Sequence, residues 1–224
     1  MRTRPRVIGL DLSLTGTGVA GAGWAVTIRS AGRRGASLAA RRARLHTLAS
    51  DILDYARGTD LAVIEGPSYG SSGAGTWDRA GLWWLVVDGL AARDIPVAQM
   101  APQARAKYAT GDGRSGKAVV LAAMRTRYGI PLRNDNEADA LALCAAGMDW
   151  AGWPLAPVPD SHRQALARVE WPIVGPPALQ LGLDGGTLPQ RARKPRRKKR
   201  TPRVAVPVLL PAADPEQLAL EGAA

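Results

Sequence analysis

The sequence predicts an α/β fold: a mixed five-stranded sheet flanked by helices, followed by a disordered basic tail. Three observations point there. Short apolar runs rich in β-branched residues cluster near the start, before any long helical segment. Helix-length amphipathic segments separate the later strand-like runs, as parallel crossovers require. Beyond about Pro172 no periodic segment is long enough to fold alone. The domain is therefore expected over residues 1–171 and the tail over 172–224.

The elements follow in order. Arg6 to Asp11 (RVIGLD) reads as a buried strand ending in an acid, and Ser13 to Gly18 (SLTGTG) as a turn. Val19 to Ser30 alternates small and β-branched residues and supplies two further strands, so three antiparallel strands lead the sheet. Ala36 to Arg57 is a helix with Leu38, Leu45, Leu48, Ile52 and Tyr55 at helical spacing. Leu61 to Glu65 (LAVIE) is a fourth strand, again ending in an acid. A glycine-rich loop follows, then a helix over Trp77 to Arg93 and a fifth strand over Pro96 to Met100. Ala101 to Gly116 reads as a proline start and a loop, TGDGRSG. Helices resume over Lys117 to Tyr128 and Asn134 to Met148, the latter with Asn134 as N-cap and Glu137 as its capping-box partner. Ser161 to Val169 is a last short helix.

Charge bears on partners. The 224 residues carry a formal net charge of +11 and a pI near 10.8, which points to a polyanion such as nucleic acid. Residues 191–203 (RARKPRRKKRTPR) hold nine Lys and Arg and no acid, so the remainder carries only +2. The excess belongs to the tail, which reads as a nonspecific DNA arm. One cysteine, Cys144, excludes an intrachain disulfide and a cysteine-based zinc cluster; its apolar setting predicts a buried thiol. No secretion signal or membrane span is apparent, and a cytoplasmic location is expected.

Three acids sit where chemistry would need them. Asp11 and Glu65 end strands, and Asp139 lies near the start of a helix. Strand ends and helix starts meet at one edge of an α/β sheet. Clustered carboxylates repel unless a cation neutralises them, and hard oxygen donors suit Mg²⁺ or Mn²⁺. For a fourth ligand, Asp135 lies roughly 40° from Asp139 around a helix and Asn136 roughly 60°, whereas Glu137 is displaced by roughly 160°. Asp135 or Asn136 is therefore the candidate, not Glu137.

At this point the chain resembles the RuvC family of Holliday junction resolvases, within the RNase H-like nucleases. The resemblance rests on VIGLDLSLTGTGVA, LAVIEGPSYG, APQARAKYATGDGRSGKAVV and NDNEADALALCAAG, in that order over residues 6–148. It implies an RNase H-like fold, a homodimer and paired Mg²⁺-dependent nicks in branched DNA. It implies metal-ligand roles for Asp11, Glu65 and Asp139, and DNA contacts by Lys107 and Lys117, with Arg114 in the same glycine loop. The family has an acid three residues before the last one, where Asn136 stands here. An aromatic near the loop after the Glu opens the junction centre in the family, and Tyr69 is the candidate.

Other motifs lead elsewhere. Residues 111–117 (GDGRSGK) match the front of a P-loop, but Ala118 follows where a metal-binding hydroxyl is needed and no buried strand precedes. The loop suits a DNA phosphate instead. His46 and His162 are isolated and expected at the surface. Near the end, Gln217, Leu218 and Leu220 (QLAL) are similar to the short motif by which bacterial replication proteins hold the sliding clamp, with Glu221 where a Phe is usual. The expected function is metal-dependent cleavage of four-way or other branched DNA. The rivals are an RNase H-fold nuclease for flaps, forks or RNA–DNA hybrids, a non-catalytic branched-DNA binding module, and a nucleotide-binding regulator built on GDGRSGK.

Overall fold

The computed structural model describes residues 3–67 and 75–172. Tyr69, the basic run 191–203 and the clamp-like Gln217, Leu218 and Leu220 lie outside the described residues. So does the tail expected over 172–224, apart from Pro172.

Five strands form one sheet: β1 (Val7–Asp11), β2 (Gly16–Gly21), β3 (Trp24–Arg29), β4 (Leu61–Glu65) and β5 (Val97–Met100). Their order is β3-β2-β1-β4-β5. The first three are antiparallel neighbours, while β4 runs parallel to both β1 and β5. The expected mixed sheet with three leading antiparallel strands is therefore observed.

Helices cover both faces. On one side lie α1 (Leu38–Tyr55) and α2 (Thr76–Ala91), packing Leu48, Ile52, Leu82, Val86 and Leu90 against Ile8, Leu10, Val19 and Ile64. On the other lie α3 (Pro102–Thr110), α4 (Lys117–Tyr128) and α5 (Asp135–Trp150), over Val7, Ala20, Leu61, Val63 and Met100. A short α6 (Asp160–Arg163) and a 3-10 turn (Gln164–Arg168) close this side. Among the described residues no helix is long and apolar enough to cross a membrane.

Four details differ from the sequence expectations. Gly16 and Gly18 belong to β2, not to a turn. They form a floor for α5: a Cβ on Gly18 would stand 2.6 Å from the Asn136 carbonyl carbon, and one on Gly9 would stand 2.5 Å from the Cys144 backbone nitrogen. Glycine is needed there for close approach. In α1, Leu38 and Tyr55 are exposed, because the buried stripe runs through Leu48, Ala49, Ile52 and Leu53. After the expected proline start, residues 102–110 form a full helix, α3, that the sequence pattern does not delimit: Pro102 sits in its first turn, and Gly111, at φ +90°, ends it in the left-handed conformation. Lastly, of the final expected helix, 161–169, only residues 161–163 are α-helical, as part of α6; 164–168 tighten to 3-10.

The helix α5 organises this half of the molecule. Every residue from Glu137 to Asp149 is buried, between the sheet below and α3 and α4 above. From Ala140 to Met148 it is apolar or small all round, as a helix segment enclosed on all sides requires. Cys144 is fully buried there, and its thiol donates to the Val7 carbonyl at 3.3 Å.

Candidate active site

Strand alternation and register bring the acids together. Val7 packs on the α5 face of β1 and Ile8 and Leu10 on the opposite face, so Asp11 shares the α5 face. The same alternation in β4, with Leu61 and Val63 inward toward α5, carries Glu65 to that face. The parallel register pairs Val7 with Leu61, Gly9 with Val63 and Leu10 with Ile64. One step further sets Asp11 beside Glu65 at the ends of adjacent strands. Above them, the Ala140 carbonyl of α5 rests over Gly9, placing Asp139, its neighbour, at the same edge.

Asp139 is almost wholly buried, at 3% exposure, and Asp11 and Glu65 are partly buried. A single cation reaches two of the three. Arg105, on α3, donates its Nε to Glu65 Oε2 at 2.7 Å and its Nη1 to Asp139 Oδ1. Its side chain is only 11% exposed. The electrostatics register this crowding. Burial first, then repulsion from Glu65 and Asp139, pushes the Asp11 carboxyl up to about 8. Burial raises Asp139 to about 6, opposed by Arg105. Glu65 is also raised by burial, again opposed by Arg105.

The two candidates for a fourth ligand diverge. Asp135 accepts an ion pair from Lys117 Nζ at the start of α4, and that hydrogen bond holds its carboxyl below the usual range. Asn136 turns its side-chain amide toward β2, where a Cβ on Gly16 would meet it at 3.0 Å. Glu137 is buried away from the acids. It accepts from the Arg133 backbone N–H at 2.7 Å, and Thr27 donates to it at 3.1 Å. The Asn134 side chain caps the Glu137 N–H at 3.0 Å as expected, but the return bond reaches Arg133, one residue before the cap.

The basic residues sort by location. Lys117 is exposed, and its charge lowers the affinity of Asp11, Glu65 and Asp139 for protons, so it borders the acidic site. Arg114 is exposed in the loop between α3 and α4. Lys107 donates to Gln164 at 3.1 Å. Two residues from Arg105, it projects from nearly the opposite side of α3. His46 is exposed, whereas His162 is half-buried and packs against Arg127 and the Tyr108 carbonyl.

Arg105 is the site residue that sequence reasoning missed. The signal lay in its neighbours: Ala104 and Ala106 are small and buried, so the flanking chain sits tight against the core while the long side chain reaches along it.

The donor chemistry, three partly desolvated carboxylates on one edge, fits a hard divalent cation. As arranged, no three acid, His or Cys side chains among the described residues are gathered tightly enough to ligate one ion, and Arg105 holds two of the three acids.

No family model and no curated protein matches the sequence. Solved structures do. A Thermus thermophilus RuvC structure superposes with a TM-score of 0.53 at 18% identity, covering 69% of this chain and 99% of that one. The T. thermophilus RuvC in complex with Holliday junction substrate gives a TM-score of 0.55 at 14% identity, with the same coverage. At such identities the likeness is one of fold, and it agrees with the strand order, the mixed pairing and the helices on both faces: the chain carries the RuvC-type, RNase H-like fold.

Proposed function

We propose that this protein is a divalent-metal-dependent endonuclease of branched DNA, with the four-way junction as its foremost substrate. The observation that carries the reading is the convergence of Asp11, Glu65 and Asp139 on one edge of a RuvC-type sheet. One of the similar structures is a complex with a Holliday junction.

In this reading Asp11, Glu65 and Asp139 hold Mg²⁺, for which Mn²⁺ substitutes, with Asp135 or Asn136 completing the shell. Bound there, the ion would supply activation of a water and charge stabilisation for phosphodiester hydrolysis, with 5′-phosphate and 3′-hydroxyl ends as the expected products. The buried setting of the acids keeps bulk water from competing for them. Lys117, exposed beside the site, and Arg114, exposed in the loop before α4, bind DNA phosphates and fix the strand's register; Lys107 adds a phosphate contact once released from Gln164. Two such sites acting on opposite strands require a homodimer. The large exposed aromatics Trp77 and Trp84 of α2 support pairing through that helix.

The test is cleavage of a synthetic four-way junction beside flap, fork, RNA–DNA hybrid and linear controls, with Mg²⁺, Mn²⁺ or EDTA, for wild type and Asp139→Asn. Symmetric metal-dependent nicks on the junction, lost in the variant, support the reading. Preferred cleavage of a control redirects it to another RNase H-fold nuclease. Tight junction binding without cleavage under either metal supports the second reading, a non-catalytic branched-DNA module. The observation favouring that alternative is Asn136, an uncharged amide turned toward Gly16.

A further inference from the structure

Carboxylates gathered in a poorly solvated site need a source of positive charge, or they take up protons. Here the source is specific. Arg105 sets two of its N–H groups on two different acids, Glu65 and Asp139, and is itself only 11% exposed. Among the described residues it is the only Lys or Arg paired with either acid. Lys117, the other cation near the site, is exposed and engaged by Asp135. Glu65 and Asp139 project from different elements, β4 and α5, and Arg105 joins them from a third, α3. The guanidinium therefore neutralises the same two carboxylates that a divalent ion would.

A positive charge held in a partly buried site repels an incoming cation, and it occupies lone pairs that the cation needs. We propose that Arg105 is a built-in counter-cation that competes with divalent metal for Glu65 and Asp139, and so sets the metal concentration at which the acidic site fills. The inference rests on the metal-site reading above. It contrasts with a purely positioning role, in which Arg105 would hold the two acids in place for the ion and its loss would weaken binding. The two roles predict opposite signs for the same substitution.

The test is Mn²⁺ binding to the full-length, metal-stripped protein, read by the free-Mn²⁺ signal in electron paramagnetic resonance and by calorimetric titration. Wild type, Arg105→Met, Arg105→Lys and Asp11→Asn are compared. Met keeps the aliphatic bulk and removes the charge. Lys keeps one charge in case Met fails to fold, but it lacks the fork that spans two carboxylates. Competition predicts that Arg105→Met binds Mn²⁺ about tenfold more tightly or better, the direction that Coulomb's law requires. Arg105→Lys should fall between it and wild type. Melting adds a second readout: Arg105→Met unfolds at lower temperature than wild type in EDTA, and saturating Mn²⁺ closes or reverses that gap. Equal or weaker Mn²⁺ binding by Arg105→Met, or by Arg105→Lys where Met does not fold, overturns the proposal while leaving the metal site standing, provided Asp11→Asn weakens binding. If no variant, Asp11→Asn included, changes a weak wild-type isotherm, the metal-site reading has failed and the proposal falls with it.

Discussion

Replacing Gly9 by Ala adds one methyl at the point where α5 lies closest to the sheet. That Cβ would stand 2.5 Å from the Cys144 backbone nitrogen and closer still to the Ala140 carbonyl oxygen. Both are backbone atoms of a rigid helix, so no side-chain rotamer relieves the clash. Relieving the Cys144 contact alone to 3.4 Å moves α5 away by about 0.9 Å (3.4 minus 2.5), and the closer Ala140 oxygen requires more. Overpacking of this kind costs about 1–3 kcal/mol, and the backbone nature of the clash places it near about 3. For a chain of this size that lowers Tm by roughly 6–12 °C. The same displacement carries Asp139 away from Asp11 and Glu65. A 1 Å misplacement costs on the order of a hundredfold in rate, so metal-dependent cleavage should fall by about that factor even where the variant is fully folded. Calorimetric melts and junction cleavage at a temperature well below both transitions measure the two effects separately. Gly81→Ala, in the interior of α2, is the internal contrast. Its Cβ meets only Leu45 Cδ1, at 3.5 Å, so the change should stabilise by about 0.5–1 kcal/mol through helix propensity. A Gly9→Ala protein that melts within about 2 °C of wild type would refute the close-packed floor and the role assigned to α5.

Other expectations concern the acids, the border lysine and the thiol. Asp11 is raised to about 8 and Asp139 to about 6, against about 4 in an unfolded chain, so the metal-free fold retains protons that the unfolded chain has released. Its stability is greatest below about pH 4 on this account and drains away as pH rises through 8; Asp11→Asn should flatten the Tm–pH profile in EDTA and melt above wild type at pH 8.5, and an unchanged slope would contradict the burial of Asp11. Lys117→Ala should weaken junction binding and reduce the salt dependence by about one counterion, measured by fluorescence anisotropy across a salt series; an unaltered slope removes Lys117 from the DNA contact set. The Cys144 thiol, fully buried and pushed up to about 12 by that burial, should resist Ellman's reagent in the native protein and react once on denaturation, whereas rapid native labelling would place it at the surface.

The elements most legible in sequence were those whose pattern carries its own physics. β4 runs from Leu61 to Glu65 and α4 from Lys117 to Tyr128, as their apolar runs and flanking breakers indicate. Asn134 caps α5 because a short polar side chain satisfies an orphan N–H wherever a helix begins. Less legible was α3. Its glycine-rich C-terminal flank suggests a loop, and its Ala-rich body has little amphipathic signal because two layers enclose it. Leu38 and Tyr55 fit the apolar period of α1 yet remain exposed, since period alone does not fix where a helix leaves the sheet.

The sequence by itself determined the α/β class, the mixed sheet and the acids that end β1 and β4, because strand alternation, strand length and terminal residues are local properties. It also determined that Asp139 stands in the first turns of a helix. Only the tertiary structure decided what those acids face. Whether Asp135 turns to Lys117, whether Asn136 lies over Gly16, and whether a buried guanidinium joins Glu65 to Asp139 all depend on how α3, α4 and α5 stack. Those contacts join residues 18 to 120 positions apart, and no local pattern encodes the distance between them. The glycines at 9 and 18 show the same division. In sequence they mark turns or weak strands, while in the fold they are the places where a helix backbone touches a sheet and brings the third acid to the other two.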